Sequence, residues 1–448
     1  MNNWKPDLER FKNTVMETKL SIFWFRRDLR LTDNVGLYNA LTSSENILPI
    51  FIFDSFILDK LPRNDARVTF IHNQLQKMQA HLADKGHGQI SIHHGQPEEV
   101  FQRLINTYNI VNVYTNKDYE PYARRRDNTI EALLKAKGIG FYAFKDHVIF
   151  EESEVVKDDG KPYVVYTPYM RKWKSKFTSA LVEPKDSEKH LHNITSKNSK
   201  NLSLEDIGFT TSNQTIADYS VTSELINDYE ATRNFPAKDA TSKLGPHLRF
   251  GTVSTREIMK KAIAEANEVF WQELIWREFF QQILWHFPNT KDKAFKSKYD
   301  RIEWRNNEDD FNRWCSGTTG YPLVDAGMRQ LNATGFMHNR IRMLVGSFLC
   351  KHLLIDWRWG EAYFAKKLHD YEMASNVGNW QWVAGSGVDA APYFRIFNPT
   401  SQIQKFDKQL DYIKKWVPDF QDITYPKPIV DHKFARERCL ATYKNALN

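Results

Sequence analysis

The stretch Asp370–Pro399, DYEMASNVGNWQWVAGSGVDAAPYFRIFNP, is dense in side chains that core packing alone does not require. If Ala374–Val383 is helical, Asn376 and Trp380 lie four residues apart and share a face. Trp382 follows two residues after Trp380, about 200° around the helix, so it faces the other way. The stretch therefore predicts one helix that presents an amide and an indole to one site and a second indole to another. The alternative is a buried aromatic helix with a satisfied asparagine.

Length and composition set the class of protein. A chain of 448 residues is too long for one compact core, which predicts two domains. Hydrophobic residues at 41% and charged residues at 26% are ordinary for a soluble globular protein, and a net charge of +7 is compatible with a nucleic-acid partner. No apolar run approaches the roughly 20 residues of a membrane span, and the N-terminus lacks the apolar core of a signal peptide. Its Trp4, Leu8, Phe11 and Val15 fit a short amphipathic helix.

Cysteine usage indicates the compartment. The three cysteines, Cys315, Cys350 and Cys439, have no metal-ligand spacing and form no disulfide framework. We therefore expect a reducing, cytoplasmic environment and no metal site.

Residues 19–147 alternate between apolar runs and amphipathic segments. The predicted strands are Lys19–Phe25, Ile47–Phe53, Ile90–His93, Val111–Thr115 and Phe141–Phe144. The predicted helices are Val35–Thr42, Arg67–Leu82, Pro97–Asn106 and Tyr122–Lys137. This alternation predicts an α/β domain with a doubly wound parallel sheet. No GxGxxG follows the first strand, which argues against NAD in the standard mode. The charged run Arg26–Arg30 stands where a ligand loop would be, with a charge-paired turn as the alternative.

The rest of the chain differs in character. Residues 148–222 are polar and weakly periodic, which predicts an interdomain linker with local helix such as Tyr169–Phe177. Residues 223–448 predict a larger, all-helical domain. Ten of the 13 tryptophans lie there, so a stacked planar ligand or redox use of the indoles becomes a hypothesis. The predicted helices are Ser254–Ala266, Glu268–His286, Asp309–Cys315, Leu323–Asn332, Asn339–Leu354 and Glu361–Leu368.

Three short constellations in this domain suggest chemistry. Hydroxyl, ammonium and backbone N–H groups that can bind phosphate, or merely cap a helix, come together at Thr241, Ser242, Lys243, Leu244 and Gly245. Glu273, Trp276 and Arg277 share a helical face that suits reading a base, or forms a salt-bridged surface.

Arg340 and Arg342 point in different directions on a helix. One can therefore face phosphate while the other pairs with an internal acid such as Asp370. The neighbouring His338 is interpreted as structural.

With these motifs in view, the sequence resembles the photolyase/cryptochrome family, most closely the class I cyclobutane pyrimidine dimer (CPD) photolyases. The blocks that carry the resemblance are FWFRRDLRLTDN at 23–34, YTPY at 166–169, ELIWREF, TGYPLVDAGMRQL, TGFMHNRIRM, LLIDWRWGEAYF, NVGNWQW and FRIFNPTSQIQKFD at 394–407. The resemblance implies a deoxyribodipyrimidine photolyase whose helical domain holds FAD. Reduced FAD, excited by light, passes an electron to a flipped-out dimer in DNA and takes it back.

The resemblance also implies roles for particular residues. FAD would be held by Tyr229, Thr241, Ser242, Lys243, Leu244, Gly245, Phe270, Arg342, Asp370, Tyr371, Glu372 and Asn376. Asn376 would lie at flavin N5 and favour the reduced forms, where plant cryptochromes carry Asp and animal ones often Cys. A photoreduction chain from the flavin to the surface would run through Trp380, Trp357 and Trp304.

The lesion and the DNA would be bound by further residues. The CPD pocket would comprise Glu273, Trp276, Asn339, Met343 and Trp382, where six-four photolyases have His in place of Asn339 and Met343. The DNA-binding set would also include Arg233, Arg277, Arg340, Arg395, Gln402 and Lys405. Their charge predicts binding to UV-damaged DNA that weakens steeply with salt.

The antenna chromophore is where the sequence departs from folate-binding members. Tyr122 and Ala123 stand where those members carry an Asn-Glu pair, and Thr290 precedes Lys291 where some have Cys. A deazaflavin- or flavin-type second chromophore is therefore favoured over methenyltetrahydrofolate, with no second chromophore as a further option.

Three other functions are alternatives from the sequence. A blue-light photoreceptor cryptochrome is disfavoured because the chain ends at Asn448 without a long signalling tail. A DASH-type photolyase would differ by preferring single-stranded CPD substrate. A flavoprotein oxidoreductase would need a reductant-binding motif that the sequence lacks. We expect a monomer without an obligate protein partner.

Overall fold

The computed structural model describes residues 18–196 and 201–448, so the helix predicted around Trp4, Leu8, Phe11 and Val15 lies outside the described residues. The described chain forms two compact units. The first contains residues up to 149, 178–215 and 247–260, and the second contains residues 150–177, 216–246 and 261–448. The predicted boundaries were contiguous, at 147 and 223, whereas the observed units interleave along the chain.

The first unit is built on a five-stranded parallel sheet of order β3-β2-β1-β4-β5. The strands are β1 Lys19–Phe25, β2 Ile47–Asp54, β3 Ser91–Gly95, β4 Asn109–Asn116 and β5 Gly140–Phe144. The central strands are continuous apolar runs because both of their faces are buried, and Trp24 pairs with Ile50 on one side and Thr115 on the other. The predicted α/β class is confirmed.

The helices of this unit follow the strands in turn. Their bounds are Val35–Ser43, Ser55–Leu58, Ala66–Asp84, Pro97–Thr107 and Pro121–Lys135. The predicted helices agree within a few residues at each end, and the short helix Ser55–Leu58 was not predicted. Two more, Gly245–Phe250 and Thr255–Ile263, lie further along the chain.

In the segment predicted as an interdomain linker, the described residues 148–196 and 201–222 contain packed secondary structure. It contains the helix Tyr166–Lys176 and three 3-10 turns, Ser179–Val182, Ser187–Asn193 and Glu205–Ile207. Five of its apolar residues join the core of the first unit, namely Leu191, Ile194, Leu204, Ile207 and Phe209. The structure differs from the prediction because these residues are too widely and irregularly spaced to give a periodic signal.

The charged run after β1 forms a charge-paired turn. Arg27 Nη1 donates to Asp118 Oδ1 at 3.0 Å, and Arg30 Nη2 lies 2.7 Å from Asp146 Oδ2. Burial opposes ionisation of Asp146, but Arg30 and Arg256 outweigh it and hold the pKa of that carboxyl below its ordinary value. The alternative of a structural turn is therefore the one that this run's contacts favour.

The second unit is helical, as predicted. Its helices are Tyr166–Lys176, Ser223–Thr232, Glu268–His286, Glu308–Ser316, Pro322–Thr334, Asn339–Ser347, Trp357–Lys367, Met373–Ala384, Pro399–Phe406, Asp411–Trp416 and His432–Leu447. Shorter 3-10 turns are Pro288–Lys291 and Ser297–Arg301.

One predicted helix changes type before it ends. The segment expected to be helical to Leu354 passes at Phe348 into a π-helical turn that ends at His352. Leu354 has φ 50, a left-handed conformation that stops the helix. Along residues 18–196 and 201–448, none of the helices is both long and apolar enough to cross a membrane.

Candidate active site

The side chains of the helix Met373–Ala384 differ in exposure in the way that their spacing predicts. Asn376 and Trp380 are buried, whereas Trp382 is only partly covered. The helix ends at Gly385, whose φ of 90 places it in the left-handed region. Two neighbouring helices pack closely on this helix because each contact involves a glycine. A Cβ at Gly378 would lie 2.3 Å from Phe280 Cδ1, and one at Gly360 would lie 2.1 Å from Trp380 Cη2.

The Asn376 amide is held by an acid that the sequence reasoning missed. Its Nδ2 donates to Glu361 Oε1 at 2.9 Å and to the Glu361 backbone carbonyl oxygen at 3.2 Å. Burial raises the pKa of Glu361, although Asn376 and Tyr371 oppose that shift by hydrogen bonding. Because both hydrogen bonds use Nδ2, the Asn376 Oδ1 remains available as an acceptor. Glu361 lies 15 residues earlier on another helix, so no spacing signal could have found it.

Asp370 joins two of the predicted constellations. It accepts hydrogen bonds from Arg342 at 2.8 and 3.2 Å, which is the pairing expected from the sequence. It also lies against Gly245, where an added Cβ would be 2.7 Å from its Cβ. The segment that ends at Gly245 contains Lys243, which has φ 55 and pairs with Asp239 at 2.8 Å.

Tyr229 and Phe270 form a second corner of the same unit. Their rings meet edge to face with centroids 5.2 Å apart. The Arg233 guanidinium lies 5.1 Å from the Tyr229 ring centre and forms a 2.6 Å ion pair with Glu273. The predicted cofactor residue Tyr229 and the predicted lesion residue Glu273 are therefore linked through one arginine.

The three tryptophans predicted as an electron path share one apolar core. Trp357 and Trp380 are buried members of that core, and Trp304 packs against it while partly exposed. Trp304 meets buried Tyr443 edge to face at 6.0 Å. Trp314, which was not predicted, lies 6.1 Å from Trp380, centre to centre.

The predicted lesion residues are less buried. Trp276 and Met343 are partly exposed, and Asn339 is exposed. One face of Trp276 is covered by Tyr166, whose ring lies parallel to it at a centroid distance of 3.6 Å. Sequence reasoning missed Tyr166 as part of this site, although it had noted the YTPY block.

Positive charge gathers beside these residues. The Arg340 guanidinium contacts Asn234, lies 3.8 Å from Met343 Sδ, and stands 4.5 Å from the Phe406 ring centre. Lys405 Nζ lies 5.3 Å from the same ring. Burial, and then the nearby cations Arg233 and Arg395, lower the pKa of Arg340. Several positive charges therefore lie beside the predicted lesion residues.

The other predicted DNA contacts differ in accessibility. Arg395 and Lys405 are exposed and Gln402 is partly exposed. Arg277 instead turns inward, with its side chain 13% exposed and paired with buried Glu372 at 2.9 Å. This placement does not favour the predicted DNA-backbone contact for Arg277, because leaving Glu372 unpaired would be costly. Gln281 also donates to Glu372, at 3.0 Å.

Gln381, between the two indoles, holds a neighbouring loop. Its Oε1 accepts the Phe295 N–H at 2.9 Å, and its Nε2 donates to the carbonyl oxygens of Thr290 and Lys293 at 2.7 and 3.0 Å. No sequence pattern singled out this glutamine. Its contacts are structural and fix the helix that bears Trp380 and Trp382.

Comparison with known proteins agrees with this architecture. A family model described as DNA photolyase matches residues 21–188, and one described as the FAD binding domain of DNA photolyase matches residues 270–424. A deoxyribodipyrimidine photo-lyase of Synechococcus is 36% identical, over 94% of this chain and 96% of that protein.

Solved structures show the same relationship. A bacterial class III photolyase from Agrobacterium tumefaciens superposes with a TM-score of 0.86 at 34% identity, covering 96% of this chain and 98% of the other. An archaeal photolyase from Sulfolobus tokodaii, solved with two FAD molecules, superposes with a TM-score of 0.84 at 34% identity, covering 96% of this chain and all of the other. The chain belongs to the DNA photolyase family. Its cofactor is FAD, and its FAD-binding domain spans the matched residues 270–424.

Proposed function

We propose that the protein is a light-dependent photolyase that repairs cyclobutane pyrimidine dimers in DNA. One observation carries the proposal. A single helix, Met373–Ala384, presents a buried amide and a buried indole, Asn376 and Trp380, together with a more accessible indole, Trp382. A helix of this kind can serve an enclosed redox cofactor and an open substrate pocket at once. A relative that is 36% identical over 94% of this chain, a deoxyribodipyrimidine photo-lyase, supports the proposal.

The residues of the second unit suit FAD. The Asn376 Oδ1 is free to accept an N–H from a reduced isoalloxazine, because its Nδ2 is committed to Glu361. Gly245 permits the close approach to Asp370, which is anchored in turn by Arg342. The cofactor would be held by the full predicted set, from Tyr229 and Phe270 through the Thr241–Gly245 segment to Asp370, Tyr371 and Glu372.

When bound and reduced, FAD supplies the electron that opens the cyclobutane ring under blue light, and it recovers that electron afterwards. The chain's own residues prepare that event. Asn376 orients the reactive edge of the cofactor and keeps an acceptor there. Trp380 and Trp357, enclosed in an apolar core that excludes water, would pass electrons inward from the partly exposed Trp304.

On the substrate side, the residues bind and orient. Trp276 and Trp382 would pack on the flipped-out dimer, and Glu273 would accept N–H groups from its base edges. Asn339 and Met343 would line the same pocket. The exposed cations Arg395 and Lys405, with Arg233, Arg340 and Gln402, would bind the DNA backbone, which fits the lowered pKa of Arg340.

Repair of a defined substrate tests the proposal. The purified, reduced protein is illuminated with blue light in the presence of a duplex oligonucleotide that contains one CPD, and dimer loss is measured by chromatography. We expect loss of the dimer in light and none in the dark. Persistence of the dimer, with flavin bound and reduced, would overturn the proposal and favour a photoreceptor. A single-stranded substrate run in parallel separates a duplex photolyase from a DASH-type one.

Three finer assignments belong to the same proposal. The α/β unit would take a deazaflavin- or flavin-type second chromophore, as the S. tokodaii structure with two FAD molecules makes plausible, rather than methenyltetrahydrofolate. Extraction of chromophores and one absorption spectrum test this. We also propose that the protein is a monomer, which light scattering tests. We propose a cytoplasmic location, which cell fractionation tests. The three cysteines are all free, which suits a reducing compartment.

A further inference from the structure

The Tyr166 side chain contacts one turn of the helix Glu268–His286 in two ways, through its ring and through its hydroxyl. Its ring lies parallel to Trp276 at an interplanar angle of 8°, with centroids 3.6 Å apart. Its hydroxyl donates to the backbone carbonyl oxygen of Gln272 at 2.8 Å. Gln272 lies four residues before Trp276, so this carbonyl is the one that the α-helical ladder pairs with the Trp276 N–H. Tyr166 therefore contacts both the Trp276 side chain and the backbone of the helical turn that carries it.

The same residue is tied through its backbone to the loop that follows the helix Met373–Ala384. The Tyr166 N–H donates to Asp389 Oδ2 at 3.3 Å. Tyr166 begins the helix Tyr166–Lys176, whose N-terminus has no side-chain cap of its own, so Asp389 supplies an acceptor for one of its orphan N–H groups. Asp389 has φ 45 and lies in the loop between Trp382 and Arg395. Such a left-handed conformation persists only where neighbouring contacts hold it.

The environment keeps the phenol in its donor form. Tyr166 is only 6% exposed. Burial and the nearby Glu273 carboxylate raise the pKa of its hydroxyl above the ordinary value. The bond to Gln272 is therefore present throughout the working pH range. Tyr166 covers one face of Trp276, and the rings of Phe279 and Phe280 lie 5.7 and 5.4 Å from its centre, so a planar substrate can reach only the part of the indole that these rings leave uncovered.

We propose that Tyr166 is the positioning residue that sets lesion selectivity, by fixing the plane of the predicted lesion residue Trp276 and anchoring the Asp389 loop. This inference rests on the proposed function. It assigns Tyr166 no contact with the substrate and no part in electron transfer. Its effect should appear in the ratio of affinities for damaged and undamaged DNA, since contacts with the DNA backbone do not depend on the Trp276 plane.

Binding measurements on the FAD-loaded protein in the dark test the inference. Affinities are measured by fluorescence anisotropy for a duplex with one CPD and for the same duplex without it. We expect Tyr166→Leu to lose about tenfold in CPD affinity, which is about 1.4 kcal/mol, because it removes the aromatic stack. Affinity for undamaged DNA and the rate of flavin photoreduction should stay within about twofold, the size of an ordinary remote effect.

Graded variants separate positioning from general packing. Tyr166→Phe keeps the stack and loses only the hydroxyl bond, so it should retain most of the selectivity. Tyr169→Leu is the matched control. Tyr169 is buried on the same helix and meets Phe279 rather than Trp276, so its loss should lower the melting temperature and leave selectivity unchanged.

The outcomes are distinguishable. Equal selectivity in Tyr166→Leu and in the wild type would overturn the inference and leave the proposed function intact. A wild type that does not prefer the CPD duplex would overturn the proposed function itself. If Tyr166→Leu does not fold, Tyr166→Met takes its place, because it also lacks a planar ring and removes the stack. An undiminished selectivity in Tyr166→Met would also overturn the inference.

Discussion

Asn376 and Glu361 are joined by two hydrogen bonds, both donated by the Asn376 amide nitrogen, at 2.9 and 3.2 Å. The pair is enclosed, and burial raises the pKa of the Glu361 carboxyl. Because Nδ2 is used in both bonds, Oδ1 is the end of the Asn376 amide that is left for a ligand. The polarity that Asn376 offers to the flavin is therefore set by a residue on a different helix.

Glu361→Leu should destabilise the protein by about 1–3 kcal/mol, because it leaves a buried amide donor without its carboxylate acceptor. Chemical denaturation of the FAD-loaded protein measures this. Glu361→Gln is the matched control, since it keeps an oxygen acceptor and should lose less than about half as much. A Leu variant as stable as the wild type would show that Glu361 does not hold the asparagine.

Trp357→Phe should block photoreduction of the flavin while sparing repair by chemically reduced protein. Trp357 is buried in the core that contains Trp380, so phenylalanine fills most of its volume but is much harder to oxidise. Absorbance during illumination follows reduction. Trp314→Phe is the control, because Trp314 also lies near Trp380, at 6.1 Å, yet is outside the predicted path. Equal loss in both variants would contradict the assignment of the path.

Trp382→Ala should weaken binding to CPD-containing DNA more than binding to undamaged DNA. Loss of one stacking partner costs about 1–3 kcal/mol, or about 5- to 150-fold in affinity. Trp382 is partly exposed, so the melting temperature should change little. Parallel titrations with both duplexes measure the effect, and equal losses for the two would argue against a stacking role.

Arg340→Ala should weaken binding to damaged and undamaged DNA alike and reduce the slope of log affinity against log salt by about one. The reason is that Arg340 lies near two further cations, Arg233 and Arg395, while the side chains that it contacts, Asn234 and Met343, are uncharged.

Arg277→Ala is a sharp contrast to Arg340→Ala. Its side chain pairs with buried Glu372, so its loss should lower stability by about 3–5 kcal/mol and leave the salt slope unchanged. Anisotropy titrations at several salt concentrations and one denaturation series separate the two arginines. A reduced salt slope in Arg277→Ala would restore its predicted contact with DNA.

Stability should fall as pH drops below about 6.5. Burial lowers the pKa of His338 to about 4 and that of His352 to about 3, with nearby arginines adding to the His338 shift and His432, Arg438 and Lys351 to the His352 shift. Between the ordinary histidine pKa of 6.5 and these lowered values, the unfolded chain binds protons that the folded protein does not bind. The free energy of unfolding therefore decreases as the pH falls. Each histidine contributes about 1.4 kcal/mol per pH unit.

Urea denaturation at pH 7.5, 6 and 5 tests this dependence. His338 Nδ1 accepts the Arg340 N–H at 3.2 Å and caps the helix Asn339–Ser347. His338→Asn keeps a capping acceptor and removes the titration, so its pH dependence should be shallower than that of the wild type. An unchanged slope would show that His338 is not one of the groups responsible.

Regular patterns predicted the fold well. The two longest apolar runs became β1 and β2 because parallel strands buried on both faces are almost continuously apolar. Glu268–His286 matched in full, since a long apolar-rich segment with a capping Asn267 before it and a proline soon after it leaves little ambiguity about its ends. The packing of the apolar residues from Leu191 to Phe209 was not predicted, because they are irregularly spaced along the chain and give no periodic signal.

By itself, the sequence determined which residue types stand four or two positions apart, and hence that Asn376 and Trp380 share a side that Trp382 does not. Helical geometry is local, so spacing was enough. Only the tertiary structure decided the partners. Glu361 meets Asn376 from another helix, Tyr166 stacks on Trp276 from 110 residues away in the chain, and Arg277 turns towards Glu372. These contacts depend on how helices pack, which residue spacing along one helix does not encode.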